Sequence, residues 1–163
     1  MTQKSHDADT TVTLEGEGDI VIRRSFDAPL TLVFEALHKP EHVRRWWCPS
    51  TRGEMTVCEI DFRVGGRWRF MMKTLDGSDV GFSGTYLEID APARVVQTEV
   101  FDPFPESPST VTLTLAAQGP RTLMTQHVRY PSREVRDMVL ATGMEDGMRE
   151  SLVQLAAVVA SLK

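Results

Sequence analysis

The residues that could carry chemistry are few, and their spacing argues against most reactions. His38 and His42 stand four apart, a separation that can set two imidazoles on one helix face for a metal. Pro40 lies between them, so they do not share a regular helix, and the run His38-Lys39-Pro40-Glu41-His42 lacks the glutamate placement of the HExxH zinc motif. No third ligand has a convincing spacing, and no metal is expected. Cys48 follows a short helix with Arg44 and Arg45 close in sequence, a setting that can lower a thiol pKa. No histidine is indicated as its base, and Cys48 and Cys58 read as free thiols. Glu99 and Gln126 sit in strand segments otherwise rich in apolar residues. If both point inward they are the polar groups that orient a ligand; a register one residue off turns them to water. His127 alternates with Gln126, so at most one of the two faces a cavity. As a general acid or base, Glu99 needs a reactive substrate that the sequence does not name. GxGxxG, Walker, GxSxG and zinc-knuckle patterns are absent. No catalytic residue and no cofactor is expected.

What the sequence offers instead is an apolar lining. Trp68, Phe70 and Met72 share one face of a strand by period two. Met144, Met148 and Leu152 open a helical stripe that continues through Leu155, Val159 and Leu162. Methionine adapts to varied shapes, and eight of them are more than usual, so thioethers opposite aromatic rings suit a cavity. Of Trp46 and Trp47, at least one is expected to pin a short helix to the sheet, while the other is available for a pocket mouth. The candidate cavity residues are therefore Trp46, Trp47, Trp68, Phe70, Met72, Phe82, Glu99, Met124, Gln126, Met144, Met148 and Leu152.

The elements that must position them follow from the pattern. Residues 1–10 are polar and without period and read as a disordered tail, with one domain over 11–163. Two apolar runs around Val12 and Ile20–Phe26 form one bent edge strand, in which Gly16 and Gly18 mark a turn or bulge. Pro29 opens a helix carrying Leu30, Val33, Phe34 and Leu37 on one stripe, and Pro40 starts a second that Cys48-Pro49 stops. From Glu54 to Tyr130 strands follow one another with turn punctuation and no helix, which means an antiparallel meander. Ser132 caps a last, long helix from Arg133, in which Gly143 and Gly147 suggest a kink or a close contact. An antiparallel sheet with one apolar face must cover it, and the last helix is the element long enough to do so.

The bulk properties exclude several classes. The net charge is −5 and the basic residues form no long cluster, so nucleic acid is not an expected partner. No apolar run reaches the ~20 residues of a membrane span, and the N-terminus has no signal-like apolar segment, so a cytoplasmic protein is expected.

Four segments in this order carry a family likeness: Ser25-Phe26-Asp27-Ala28-Pro29, Pro40-Glu41-His42-Val43-Arg44-Arg45-Trp46-Trp47, Val64-Gly65-Gly66-Arg67-Trp68, and Gly84-Thr85-Tyr86-Leu87-Glu88-Ile89 with Pro92. From about Ile20 to Leu162 the sequence resembles the Activator of Hsp90 ATPase homologue 1-like family of the START-like (SRPBCC) superfamily. The resemblance implies an α+β helix-grip fold: a curved antiparallel β-sheet around a long C-terminal α-helix, with two short helices after the first strand and a cavity between sheet and helix. Relatives across the superfamily carry lipids, bind hormones or act as cyclases. The eukaryotic co-chaperone has a further N-terminal domain with an Asn- and Trp-rich motif that this sequence lacks, so Hsp90 is not an expected partner. The reading is a binder of a small hydrophobic or amphipathic molecule. A co-chaperone-like interaction domain, or a cyclase or hydrolase using the same cavity, is the alternative, and a homodimer is left open.

Overall fold

The computed structural model describes residues 9–163. The expected tail lies outside the described residues except for Asp9 and Thr10, and Thr10 opens the first strand and is buried. Strands β1 (Thr10–Glu15) and β2 (Asp19–Phe26) form an antiparallel hairpin, with Glu15 opposite Asp19. The expected single bent strand is thus two, because Glu15-Gly16-Glu17-Gly18 reverses the chain fully. Helix α1 (Leu30–His38) buries Val33, Phe34, Ala36 and Leu37, and Pro29 sits one residue before it as the N-cap. Helix α2 (Pro40–Trp46) has Pro40 at its first position, where a missing N–H costs nothing.

Six strands then run in series: β3 (Gly53–Ile60), β4 (Arg67–Thr74), β5 (Asp79–Asp90), β6 (Arg94–Phe101), β7 (Ser109–Gln118) and β8 (Arg121–Arg129). β8 pairs back onto β2, giving one eight-stranded antiparallel sheet in the order β1-β2-β8-β7-β6-β5-β4-β3. Register defines the concave face. Ile22, Gln126, Leu113, Val95 and Ile89 lie in one row across five strands, and the row one step along holds Ile20, Val128, Val111, Gln97 and Tyr86. Apolar alternation in each strand puts these residues on the same side, which the helices cover.

The last helix is broken. α3 (Arg133–Ala141) starts at Ser132, whose hydroxyl accepts from the Val135 N–H at 3.2 Å. α4 (Met144–Ser161) begins after Gly143, whose φ of +82° lies in the left-handed region that a Cβ disfavours. The chain kinks at this glycine. A Cβ at Gly147 would meet nothing within 4 Å, so close packing is not the reason for that second glycine. Beyond it, Leu152, Leu155, Val158 and Val159 enter the core, and α4 packs on α1 and α2. Polar anchors hold α4 in place. Glu150 accepts from Thr51 and from Arg52, the Ser151 hydroxyl donates to the Trp47 carbonyl at 2.8 Å, and Arg149 donates to the Thr10 carbonyl at 3.0 Å. A curved antiparallel sheet gripping a C-terminal helix, with two short helices inserted after β2, is the helix-grip arrangement.

Candidate functional site

Register on the concave face brings one row of residues beneath the α3–α4 break. β5 and β6 pair Phe82 with Phe101 and Tyr86 with Gln97, so Gly84 stands opposite Glu99; β6 and β7 pair Glu99 with Ser109. Tyr130 follows β8 directly and lies across from Ser109. Trp68 pairs with Gly84 from the other side. The row therefore reads Trp68, Gly84, Glu99, Ser109, Tyr130. Gly84 is required here. A Cβ would collide with the Thr98 carbonyl and press on the Trp68 indole nitrogen, so the indole N–H lies directly over the glycine backbone.

A cavity of about 70 Å³ opens above this row. Its sheet wall is Phe82 from β5, Glu99 and Phe101 from β6, and Ser109 from β7. Tyr130 closes one side, and the β6–β7 loop supplies Phe104 and Ser107. The roof is the helix break, with Val139, Thr142 and Met144. One water-sized sphere needs roughly 10–15 Å³, so the space seats a handful of non-hydrogen atoms, and a longer ligand must project through the mouth. Phe82 and Phe101 stack at 4.9 Å between ring centroids, and Phe104 meets Phe101 edge-on at 5.5 Å. Trp47 extends the aromatic wall, edge-on to both Phe82 and Phe70.

Polar groups on this apolar wall lack partners. The Glu99 carboxyl makes no hydrogen bond or ion pair within the described residues, and its removal from bulk water pushes its pKa up to about 7. The Tyr130 hydroxyl, also without a partner among the described residues, is raised by burial and then by the Glu99 charge, so it stays a neutral phenol. The indole N–H of Trp68 is buried with no acceptor. Of these, the Trp68 N–H is closed off beneath the floor, whereas the half-buried Glu99 and Tyr130 side chains line the cavity, where a guest can meet them.

Two other titratable features are satisfied where they stand. His38 lies between Phe34 and Phe62, at centroid distances of 4.4 and 4.6 Å. Its Nδ1 is 3.0 Å from the Phe34 carbonyl, which can only accept, so Nδ1 carries the proton. Burial lowers its pKa to about 4. His127 points to the opposite face of the sheet from Gln126 and meets the Asp19 carboxylate, which Arg129 also binds; hydrogen bonds from Arg129 first and His127 second hold Asp19 below the usual carboxylate range. Cys48 and Cys58 are free, and burial pushes both thiols up, so neither is a ready nucleophile. Among the described residues no group of three or more His, Cys, Asp and Glu side chains is placed to hold a metal.

The residues singled out in the sequence take distinct places. Phe82, Glu99 and Met144 line the cavity. Trp47 abuts the cavity wall through Phe82 and touches Phe70, and Trp47, Phe70 and Met148 are partly buried against the core. Trp68 is buried in the floor row. Trp46 donates its indole N–H to the Ala36 carbonyl at 2.9 Å and ties α2 to α1. Met124 and Leu152 sit in closed core, Gln126 is on the concave face between Ile22 and Leu113, and Met72 lies at the far end of β4 opposite Met55 and Val80. Phe101, Phe104, Ser107, Ser109, Tyr130, Val139 and Thr142 were not singled out. Phe101 shares the parity of Glu99 in β6 and could have been found from it. The loop and hinge residues carry no periodic signal.

A family model described as Activator of Hsp90 ATPase homolog 1-like protein matches residues 27–160. The fold is similar to that of a Rhodobacter sphaeroides protein solved by crystallography, with TM-score 0.85 and 25% identity over 93% of this chain and 99% of that one. It is similar to the solution structure of an Arthrobacter aurescens protein, with TM-score 0.81 and 26% identity over 93% of this chain and 91% of that one. An AHSA1-like protein of Aeromonas hydrophila shares the fold at TM-score 0.69 and 21% identity, over 89% and 95% of the two chains. No protein of curated function matches the chain.

Proposed function

The chain belongs to the Activator of Hsp90 ATPase homolog 1-like family, and within that helix-grip frame we propose that it binds a small, mainly apolar molecule in the cavity under the α3–α4 break. The observation that carries this reading is the Glu99 carboxyl, desolvated and without a partner on a wall otherwise made of aromatic rings. Apolar enclosure supplies affinity, and a few convergent polar groups orient the guest. The volume of about 70 Å³ matches a small molecule or one end of a longer one.

Binding is favoured over catalysis by what stands near Glu99. An acid–base residue needs a nucleophile or a second proton carrier within hydrogen-bond reach. The cavity wall offers Glu99, hydroxyls and a phenol that burial pushes still higher than its ordinary range. Binding in a cavity is also favoured over a protein-docking face. The large apolar side chains exposed among the described residues, Leu14, Val64, Leu75, Leu87 and Met138, are single positions on β1, the β3–β4 loop, the β4–β5 turn, β5 and α3.

The test uses the methionines as reporters. With 13C-methyl-labelled methionine, titration with benzyl alcohol is expected to shift the Met144 signal saturably and leave Met124, which is 0% exposed, in place. A Met144 signal that stays still up to the solubility limit of the alcohol overturns the cavity reading.

A further inference from the structure

We propose that the polar end of the ligand is an organic cation, an ammonium or trimethylammonium group seated against Glu99 and boxed by Phe82, Phe101, Phe104 and Tyr130. This deepens the binding function proposed above and rests on it. Two independent features of the cavity point to a positive guest.

The first is the carboxyl itself. An acid enclosed by apolar side chains is normally neutralised by a cation or a set of donors, because an unpaired buried charge is strongly disfavoured. Among the described residues no lysine, arginine or histidine lines the cavity, and the one other titratable group facing Glu99 there is the neutral Tyr130 hydroxyl. Arg69 in the neighbouring strand is on the opposite face of the sheet and is held by Asp102 through two hydrogen bonds of 3.0 and 2.9 Å. The site thus has an acid that can ionise and, among the described residues, no internal counter-ion.

The second is the aromatic lining. Each ring carries a negative potential over its face, and a cation within about 6 Å of a ring centroid is attracted to it, which is how aromatic boxes hold quaternary ammonium groups. Phe82 and Phe101 stack with an interplanar angle of 21°, Phe104 stands at 80° to Phe101, and all three rings line the cavity. Tyr130 adds a fourth aromatic side chain to the lining. A trimethylammonium head has one nitrogen and three methyl carbons beyond its tether, which suits a space for a handful of atoms. The tether then leaves past Ser107 and Thr142, where the Thr142 hydroxyl donates to the Val139 carbonyl and the Ser107 hydroxyl has no partner among the described residues.

The geometry has a signature that a neutral guest reverses. Glu99 titrates at about 7 in the empty protein. A permanent cation favours the ionised carboxylate, so its affinity rises as pH rises through 7, by about tenfold between pH 6 and pH 8, with a proton released on binding below pH 7. A neutral acceptor prefers the protonated acid and binds better at pH 6.

The experiment compares choline with its uncharged carbon isostere, 3,3-dimethylbutan-1-ol, using the Met144 methyl signal and calorimetry in buffers of different ionisation enthalpy. Choline is expected to bind at least tenfold tighter than the alcohol at pH 8, to weaken about tenfold at pH 6, and to lose both the preference and the pH dependence in Glu99→Gln. Thermal melting of the Glu99→Gln variant confirms that it is folded. Phe104→Leu, at the rim, is expected to weaken choline more than the alcohol. Equal or tighter binding of 3,3-dimethylbutan-1-ol, or binding that improves at pH 6, overturns the cation inference and leaves the binding function standing. Absence of choline binding while benzyl alcohol still moves Met144 does the same. If none of the three compounds moves Met144, both readings fall.

Discussion

The two ends of the concave face are built from similar residues and do opposite things. At one end, Phe26, Met124, Leu115 and Val95 meet α1 and the C-terminal half of α4, and side chains such as Leu155 and Val33 are fully enclosed. At the other end, Phe82, Phe101 and Phe104 meet a broken helix, and space remains. The difference lies above the sheet. Within α4, Leu155, Val158 and Val159 are buried in the core, whereas the turn at Thr142 and Gly143 interrupts the helix where Thr142 and Met144 line the cavity. Enclosure follows the continuity of the helix more than the hydrophobicity of the strands.

The largest expected effect separates these ends directly. Leu155→Ala leaves a void in close-packed core and is expected to cost about 2–5 kcal/mol, whereas Met144→Ala borders existing space and is expected to cost about 1 kcal/mol or less. Urea denaturation of both variants measures this. Equal losses would show that the α3–α4 end is packed as tightly as the other and would erase the contrast.

Next comes pH, where two desolvated groups oppose each other. The folded pKa of Glu99 is raised to about 7 from an ordinary 4.5, so the stability linked to it is present below 4.5 and lost as pH rises through 7. The folded pKa of His38 is lowered to about 4 from 6.5, so the unfolded chain takes up its proton first and stability falls as pH drops from 6.5 to 4. Each amounts to at most about 3 kcal/mol over its window. In the wild type the two slopes nearly cancel between pH 4.5 and 6.5. Glu99→Gln is expected to expose the His38 slope, with stability rising over that range and exceeding wild type at pH 8. His38→Phe, which keeps the stack on Phe62, is expected to expose the Glu99 slope, with stability falling as pH rises toward 7. Chemical denaturation across pH 4 to 8 reads both. Parallel curves for wild type and Glu99→Gln would mean that Glu99 is solvated and that the cavity wall is wrongly drawn.

The smallest effect concerns the anchor of α4. Arg52 and Glu150 pair at 2.6 Å with side chains about 40% exposed, so Arg52→Ala is expected to cost no more than about 1 kcal/mol, shrinking as salt is added. A larger loss, insensitive to salt, would show that this pair fixes the kinked helix pair over the cavity and does more than decorate a surface.

Much of this molecule was open to reading from its residues. Period-two alternation fixes which side chains of each strand share a face, and the run of turn signals from Glu54 to Tyr130 with no helical stripe between them admits only a meander. Ser132 announces a helix start because its hydroxyl can satisfy an otherwise orphaned N–H, and it does so. These are local rules, complete within a few residues. Three matters were decided only by tertiary structure. Whether Glu99 and Gln126 face in or out depends on pairing with β7, since a strand is symmetric to a one-residue slip until its neighbours pin it. Gly143 and Gly147 both offered a kink, and that the chain breaks at Gly143, with φ +82°, and continues as helix through Gly147 was settled only in the folded chain. The cavity itself belongs to no segment. Phe104 and Ser107 from a loop, Tyr130 after a strand and Thr142 at a hinge meet only because the sheet curves and the helix bends toward the same point, and no pattern along the chain records the distance between elements.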